Sequence, residues 1–361
     1  MSHSTTEHRL NPEIRRAIQR ADKYIRKKKY QCLYPGCGKM AIRCHAIPRA
    51  SLIEAIAKNG KLYSLNQSYT STYRMTSPHD PMEVVEVGVN QAGVFKGFCP
   101  EHDTKLFTPI ETTDEDKKKA VAISCHLRAL ALEHSRKQRN VDYYKKFVEF
   151  DLPAEFRDFV IKNIVKPNEL GLALVESYLG SLFFPEHHGR SGGIDYWGLP
   201  FSKNLGVSCC GIFNHNNDLN PDSVIGYTLI CYRDLSILLL TTFANEHVTL
   251  DPFVRSYGGA VGIQRMVNDI AFLKGEEPLI SAALWESLSD SEKYETRLSL
   301  VHPSYRLVNT SPNIIEVTPD DMLKGSTPEF VAKVGKLSPY LYTHSLLGNR
   351  NEKPRTRRGF P

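Results

Sequence analysis

The stretch Cys32-Leu33-Tyr34-Pro35-Gly36-Cys37 sets two thiols on either side of a Tyr-Pro-Gly bend. Proline and glycine suit a tight turn that aims two side chains at one point. A second pair, Cys99 and His102, lies within Phe98-Cys99-Pro100-Glu101-His102-Asp103. Two short-range pairs separated by a long stretch have the form of a closed Cys3His zinc site. The competing reading is two unrelated cysteine pairs in a core. The polarity of these turns argues against it, because buried structural cysteines favour apolar surroundings. The expectation is a structural Zn2+ held by Cys32, Cys37, Cys99 and His102. The first pair should sit on a loop and the second at the start of a helix.

Around this site the chain looks like an ordinary soluble protein. Of its 361 residues, 41% are hydrophobic and 24% charged, enough to build a sizeable core. No segment approaches the roughly 18 apolar residues of a membrane span, and the polar N-terminus does not read as a secretory signal. The expected setting is cytoplasmic and reducing, where clustered cysteines serve as metal ligands rather than disulfides. Of the eight cysteines, Cys125, Cys209, Cys210 and Cys231 lie in apolar runs and read as buried thiols.

Charge is unevenly spread. Residues 1–50 hold twelve Lys or Arg and three Asp or Glu, a net of +9, so the remainder must sum to −3 to give the chain's +6. Such asymmetry points to a polyanionic partner. The plainer alternative is a solvated helix face. Ile14, Ile18, Ala21 and Ile25 recur at helical spacing after Pro12. This stripe can dock on the protein while Arg15, Arg16, Arg20, Lys23, Arg26, Lys27, Lys28 and Lys29 meet phosphate.

The class is α+β. Residues 1–29 form a basic helical arm whose first eleven residues read as disordered. Residues 30–150 form the zinc-binding domain, with an irregular insertion at 64–82, a strand at 84–87 and a long helix over 114–148. Residues 151–348 form a second α+β domain. Its helices are expected at 154–165, 169–182, 260–274 and 281–300. Strands at 207–213, 224–232 and 235–243 build an antiparallel sheet. Residues 349–361 are a basic tail. His187-His188 reads as a loop feature.

The order of these motifs resembles the zinc-bound HNH endonucleases of treble-clef, ββα-like fold that occur in bacterial phage defence. The resemblance rests on the Cys32/Cys37 pair, on Cys44-His45-Ala46-Ile47-Pro48-Arg49, on Gly97-Phe98-Cys99-Pro100-Glu101-His102-Asp103, on Phe107 and on Ile110-Glu111. It covers roughly residues 30–111, under a third of the chain. It implies a metal-dependent nuclease acting on DNA before RNA, alone, as a homo-oligomer or as a subunit of a defence complex. His45 takes the place of the general base, and Asp103 that of the ligand to a catalytic Mg2+ or Mn2+. The family more often has histidine at the position of Asp103. Its central asparagine has no counterpart in Ala92–Phe98, and Asn90 is the nearest candidate. From the residues alone, His45 could equally be a zinc ligand or a hydrogen-bonded strand histidine, and Asp103 a helix cap. The alternative function is a non-catalytic zinc finger for nucleic-acid binding, sensing or assembly.

Overall fold

The computed structural model describes residues 12–66, 83–111, 118–184, 193–214, 224–244, 250–275, 277–300 and 311–323. The expectations for residues 1–11, for most of the insertion at 64–82, for His187-His188 and for the basic tail therefore lie outside the described residues. The chain is a mixture of helices and antiparallel sheet, as its patterning implies. Among the described residues no helix is long and apolar enough to cross a membrane.

Helix α1 (Pro12–Lys27) buries Ala17, Ile18, Ala21 and Ile25. Strand β1 (Arg43–His45) leads into α2 (Arg49–Ser51), which runs on as a π-helical turn, Leu52–Ile56. Strands β2 (Lys61–Leu65), β3 (Val84–Gly88) and β4 (Val94–Lys96) follow, then α3 (Pro100–Glu111) and α4 (Lys118–Val148). Helices α5 (Ala154–Val160), with a π-helical turn Ile161–Val165, and α6 (Lys166–Phe183) precede four long strands. These are β5 (Ile194–Phe201), β6 (Val207–Asn214), β7 (Val224–Cys231) and β8 (Ser236–Phe243). Helix α7 (Leu250–Ser256), α8 (Gly259–Asn268) with its π-helical turn Asp269–Lys274, β9 (Leu279–Ile280), α9 (Ala282–Ser287), α10 (Asp290–Ser299) and α11 (Pro319–Leu323) complete the order.

The main sheet has seven strands in the order β3-β2-β9-β6-β7-β8-β5. Every residue of β7 and β8 is buried, which is why both read as unbroken apolar runs rather than alternating ones. The faces separate by register. Thr228 pairs with Leu239 and Gly226 with Thr241, and Ile237 and Leu239 pack with Val121 and Cys125 of α4. Tyr227 points the other way, its hydroxyl donating to the Lys274 carbonyl at 3.5 Å. A Cβ on Gly226 would lie 2.6 Å from Thr241 Oγ1 and 2.8 Å from His126 Nδ1, so glycine is what lets α4 come this close.

Helix α4 buries Ala129, Leu130, Ala131 and Leu132 in succession, so it is surrounded rather than laid on a surface. Helix α1 packs on its far end through Ile18 and Ile25 against Tyr143 and Phe147. One cluster of buried residues runs from Cys44, Ile47 and Phe98 through Leu130 to Leu229 and Leu238. Both this cluster and the main sheet draw on residues before and after 150.

Four local expectations differ from the structure. The helices expected at 154–165 and 169–182 run on without a break from Ala154 to Phe183, with Pro167 in the first turn of α6, where proline is tolerated. The segment 281–300 is two helices, because Ser289 caps a new one reciprocally with Glu292. Strand β5 has no counterpart among the expected strands. Its Gly198 and Pro200 disguise it, and proline is tolerated there because β5, among the described residues, is an edge strand pairing with β8 alone. Strand β2 pairs with β3 and, at Tyr63 and Ile280, with β9. Such long-range pairing has no local signature.

Candidate metal centre and basic surface

The first ligand pair is set by backbone bonds that wrap the Pro-Gly bend. Cys37 N donates to the Tyr34 carbonyl at 3.0 Å, and Cys32 N to the Lys39 carbonyl at 2.9 Å. Gly36 takes a positive φ of 72°, which a side chain would strain. The loop is tied to the second pair by Leu33 N to Gly97 O at 2.9 Å and Ile42 N to Phe98 O at 2.8 Å. β1 then pairs antiparallel with β4, Cys44 opposite Phe95 and His45 opposite Val94. Helix α3 starts at Pro100, so Cys99 and His102 flank its first turn. Phe107 and Phe98 meet edge to face at 5.5 Å, and Ser124 of α4 donates to the Leu106 carbonyl at 2.8 Å. These contacts fix the helix.

The side chains of Cys32, Cys37, Cys99 and His102 converge, with all four ligand atoms within 4.8 Å of one another. Tetrahedral zinc with thiolate ligands would hold sulfurs about 3.8 Å apart. Cys37 and Cys99 sulfurs are 4.0 Å apart, and His102 Nδ1 is 3.5 Å from Cys32 Sγ and 3.3 Å from Cys99 Sγ. Donor types and spacing therefore fit, and the group could hold a metal ion such as zinc. Tyr34 stacks on the His102 ring at 3.9 Å and fixes its orientation. The backbone N–H of His102 lowers the Cys99 thiol, whereas burial raises Cys32 to about 11.

Cys44 and His45 stand outside this group. Cys44 is 2% exposed. Burial, with the hydrogen-bonded Asp103 carboxylate beside it, pushes its thiol up to about 12. His45 is half-buried, and its Nε2 lies 3.3 Å from the Val89 carbonyl. A carbonyl only accepts, so Nε2 carries the proton and Nδ1 keeps its lone pair. Burial lowers the His45 pKa, helped by the charges of Arg49 and Arg128, with Asp103 opposing. Of the open readings of His45, the hydrogen-bonded strand histidine matches the geometry and the zinc ligand does not. Asp103 lies inside the first turn of α3 rather than before it, its N–H donating to the Cys99 carbonyl at 2.9 Å, so it does not cap the helix. Among the described residues the Cys3His group is the one cluster of three or more potential metal-binding side chains.

Helix α1 presents Arg15, Arg16, Arg20, Lys23, Arg26 and Lys27 as exposed side chains, and Lys29, just beyond its end, is exposed as well. Lys28 departs from the expected phosphate contact. It pairs with Asp142 of α4 at 2.6 Å. Burial works against its charge, but the contacts to Asp142 and Tyr24 outweigh it and raise its pKa. Arg20 also stacks over Phe150 at 5.3 Å.

Beside His45, Arg43 and Gln91 carry no role in the sequence analysis, and Arg49 and Asn90 are named there without being paired. Arg43 Nη2 donates to Gln91 Oε1 at 2.6 Å and Arg49 Nε to Asn90 Oδ1 at 2.9 Å. The signal available was Arg43 standing two residues from His45 on a strand, hence on its face. A cleft of about 700 Å3 also opens beside the Cys32–Cys37 loop, lined by Tyr34, Lys96, His134, Glu176 and Phe183. His134 Nε2 and Glu176 Oε1 face each other there at 3.3 Å. No family model matches the chain, and neither a curated protein nor a solved structure does.

Proposed function

We propose that the Cys3His group binds zinc as the centre of a treble-clef finger, and that the chain is an HNH-type endonuclease that hydrolyses phosphodiester bonds in nucleic acid, DNA before RNA. The observation that carries this reading is the state of His45. Its Nε2 is engaged by the Val89 carbonyl, and Asp103 is close enough to act on its charge.

The free Nδ1 suits a general base. It accepts a proton from water as the water oxygen attacks phosphorus. The phosphorus–oxygen bond to the leaving nucleotide then breaks, and solvent protonates the departing oxygen. A pKa below the usual histidine range keeps His45 neutral, and so ready to accept a proton, at neutral pH. Asp103 is the residue that would hold a catalytic Mg2+ or Mn2+. A single carboxylate suits an ion that keeps several waters and takes further oxygens from phosphate. When bound, such an ion supplies charge stabilisation to the leaving oxygen. The exposed basic face of α1 would grip the backbone without reading sequence. Action within a phage-defence assembly, or as a homo-oligomer, draws on the resemblance alone.

One contact favours the non-catalytic alternative. The Asp103 carboxylate is hydrogen-bonded to the Cys44 thiol and must turn from it to reach an ion. The two readings part on a direct assay. Full-length protein is incubated with plasmid DNA and with single-stranded RNA in Mg2+, Mn2+ or EDTA, beside Asp103→Asn. The nuclease reading expects cleavage that needs a divalent ion and falls by at least about a hundredfold in the variant. Binding without cleavage on every substrate and ion would leave the alternative standing in its place.

A further inference from the structure

The turn between β3 and β4 holds three basic side chains with three consecutive residues. The Val89 carbonyl takes His45 Nε2 at 3.3 Å, Asn90 Oδ1 takes Arg49 Nε at 2.9 Å, and Gln91 Oε1 takes Arg43 Nη2 at 2.6 Å. The three bases come from β1 and the start of α2, more than forty residues earlier in the chain. Arg43 and His45 share a face of β1, and Arg49 is near enough to His45 to depress its pKa. Both arginines are exposed.

The chemistry of the acceptors is the informative part. All three are neutral oxygens, two of them side-chain amides. An amide orients a guanidinium through one of its five N–H groups and leaves its charge whole. A carboxylate would orient it equally well and cancel that charge. Two guanidinium groups held beside a histidine, aimed but not neutralised, have their remaining donors free for an anion. The fork of N–H groups matches phosphate oxygens.

We propose that Arg43 and Arg49 form a two-armed clamp for backbone phosphates beside His45, with Asn90 and Gln91 as the residues that position it. The proposal rests on the nucleic-acid reading of this face and deepens it. Recognition would be of phosphate, so it carries no base preference. The role of the turn also explains why a distant segment is needed to complete the site. It fixes the base and both arms in a single frame.

The test replaces the amides by carboxylates, Asn90→Asp with Gln91→Glu, in the full chain. Binding of a fluorescently labelled duplex DNA is followed in EDTA over a range of salt, so that no cleavage intervenes. The double substitution keeps both hydrogen bonds, so the melting temperature should not fall. Affinity should drop about tenfold or more, and the slope of log K against log salt should flatten by roughly one for each arm neutralised. The same swap made on an Arg43→Ala, Arg49→Ala background should then cost little more, because its targets are gone. An affinity and slope equal to wild type would overturn the clamp. So would an equal loss on the arginine-free background, which marks a general charge effect. The outcome is separable from the nuclease reading. Amide-dependent binding by a protein that cuts nothing in Mg2+ or Mn2+ upholds the clamp and sinks the nuclease. Cutting that is indifferent to the swap does the reverse.

Discussion

The region around the Cys32, Cys37, Cys99 and His102 cluster and the sheet β5–β8 are built in opposite ways. The hairpin of the finger has three residues per strand, too short to stand alone, and its loop is polar. Its geometry depends on four side chains converging on one point. The sheet has strands of eight residues, and its two central strands have no exposed position. It needs no ion. The difference teaches where each kind of function can reside. The wholly buried strands β7 and β8 leave no side chain free for substrate. A small region organised around a cluster that could hold a metal leaves Arg43 and Arg49 exposed and His45 half-buried at its surface. Helix α4 joins the two, carrying Phe107 and Leu106 of the finger on one side and the sheet on another.

The largest effect expected from this contrast is on the finger. Cys99→Ser, or removal of metal by a strong chelator, should abolish metal binding, whose free energy in structural sites is on the order of 10 kcal/mol. Hydrogen exchange should then accelerate over residues 31–46 and 94–107 while β6–β8 stay protected. Loss of protection in both regions together would break the comparison. Next, Leu238→Ala in the sheet should cost about 2–5 kcal/mol, read as a lower urea midpoint with metal content unchanged.

A smaller effect concerns His126, wholly buried between α4 and the sheet. The Thr241 hydroxyl donates to the Gly226 carbonyl at 3.3 Å, so its oxygen accepts from His126 Nδ1 at 2.9 Å. Nε2 has no partner among the described residues. Burial lowers the pKa to about 3 from an ordinary 6.5. The unfolded chain therefore binds a proton that the folded chain refuses. Stability should be fully present above pH 6.5 and fall by about 1 kcal/mol per pH unit as pH drops toward the folded value. Urea melts of wild type and His126→Gln between pH 7 and pH 4.5 measure the difference in slope. The smallest effect is at the Lys28–Asp142 pair. Lys28→Ala should cost no more than about 1 kcal/mol, and less at high salt.

How far the sequence could carry this account depends on the range of the interactions involved. The ligand pairs were legible because each is a local motif of thiol, turn residue and neighbour. Strands β6, β7 and β8 were legible because burial on both faces leaves unbroken apolar runs. The stripe Ile18–Ala21–Ile25 announced α1. The grouping of Arg43 with Gln91 and Arg49 with Asn90 was not legible, since it joins positions 48 and 41 residues apart; Gly88, Asn90 and Gly93 mark a turn but not what it meets. The pairing of Lys28 with Asp142 was hidden for the same reason. A basic run looks alike whether its members meet phosphate or a carboxylate on another helix.

The central claim is that the finger sets His45 as a base rather than merely completing a fold. Its most direct test is the single-turnover cleavage rate of His45→Ala beside wild type, in Mg2+ or Mn2+, with bound zinc measured on the same samples. The account predicts a rate lower by about 10²–10⁴-fold at equal zinc content. Equal rates at equal zinc content would contradict it.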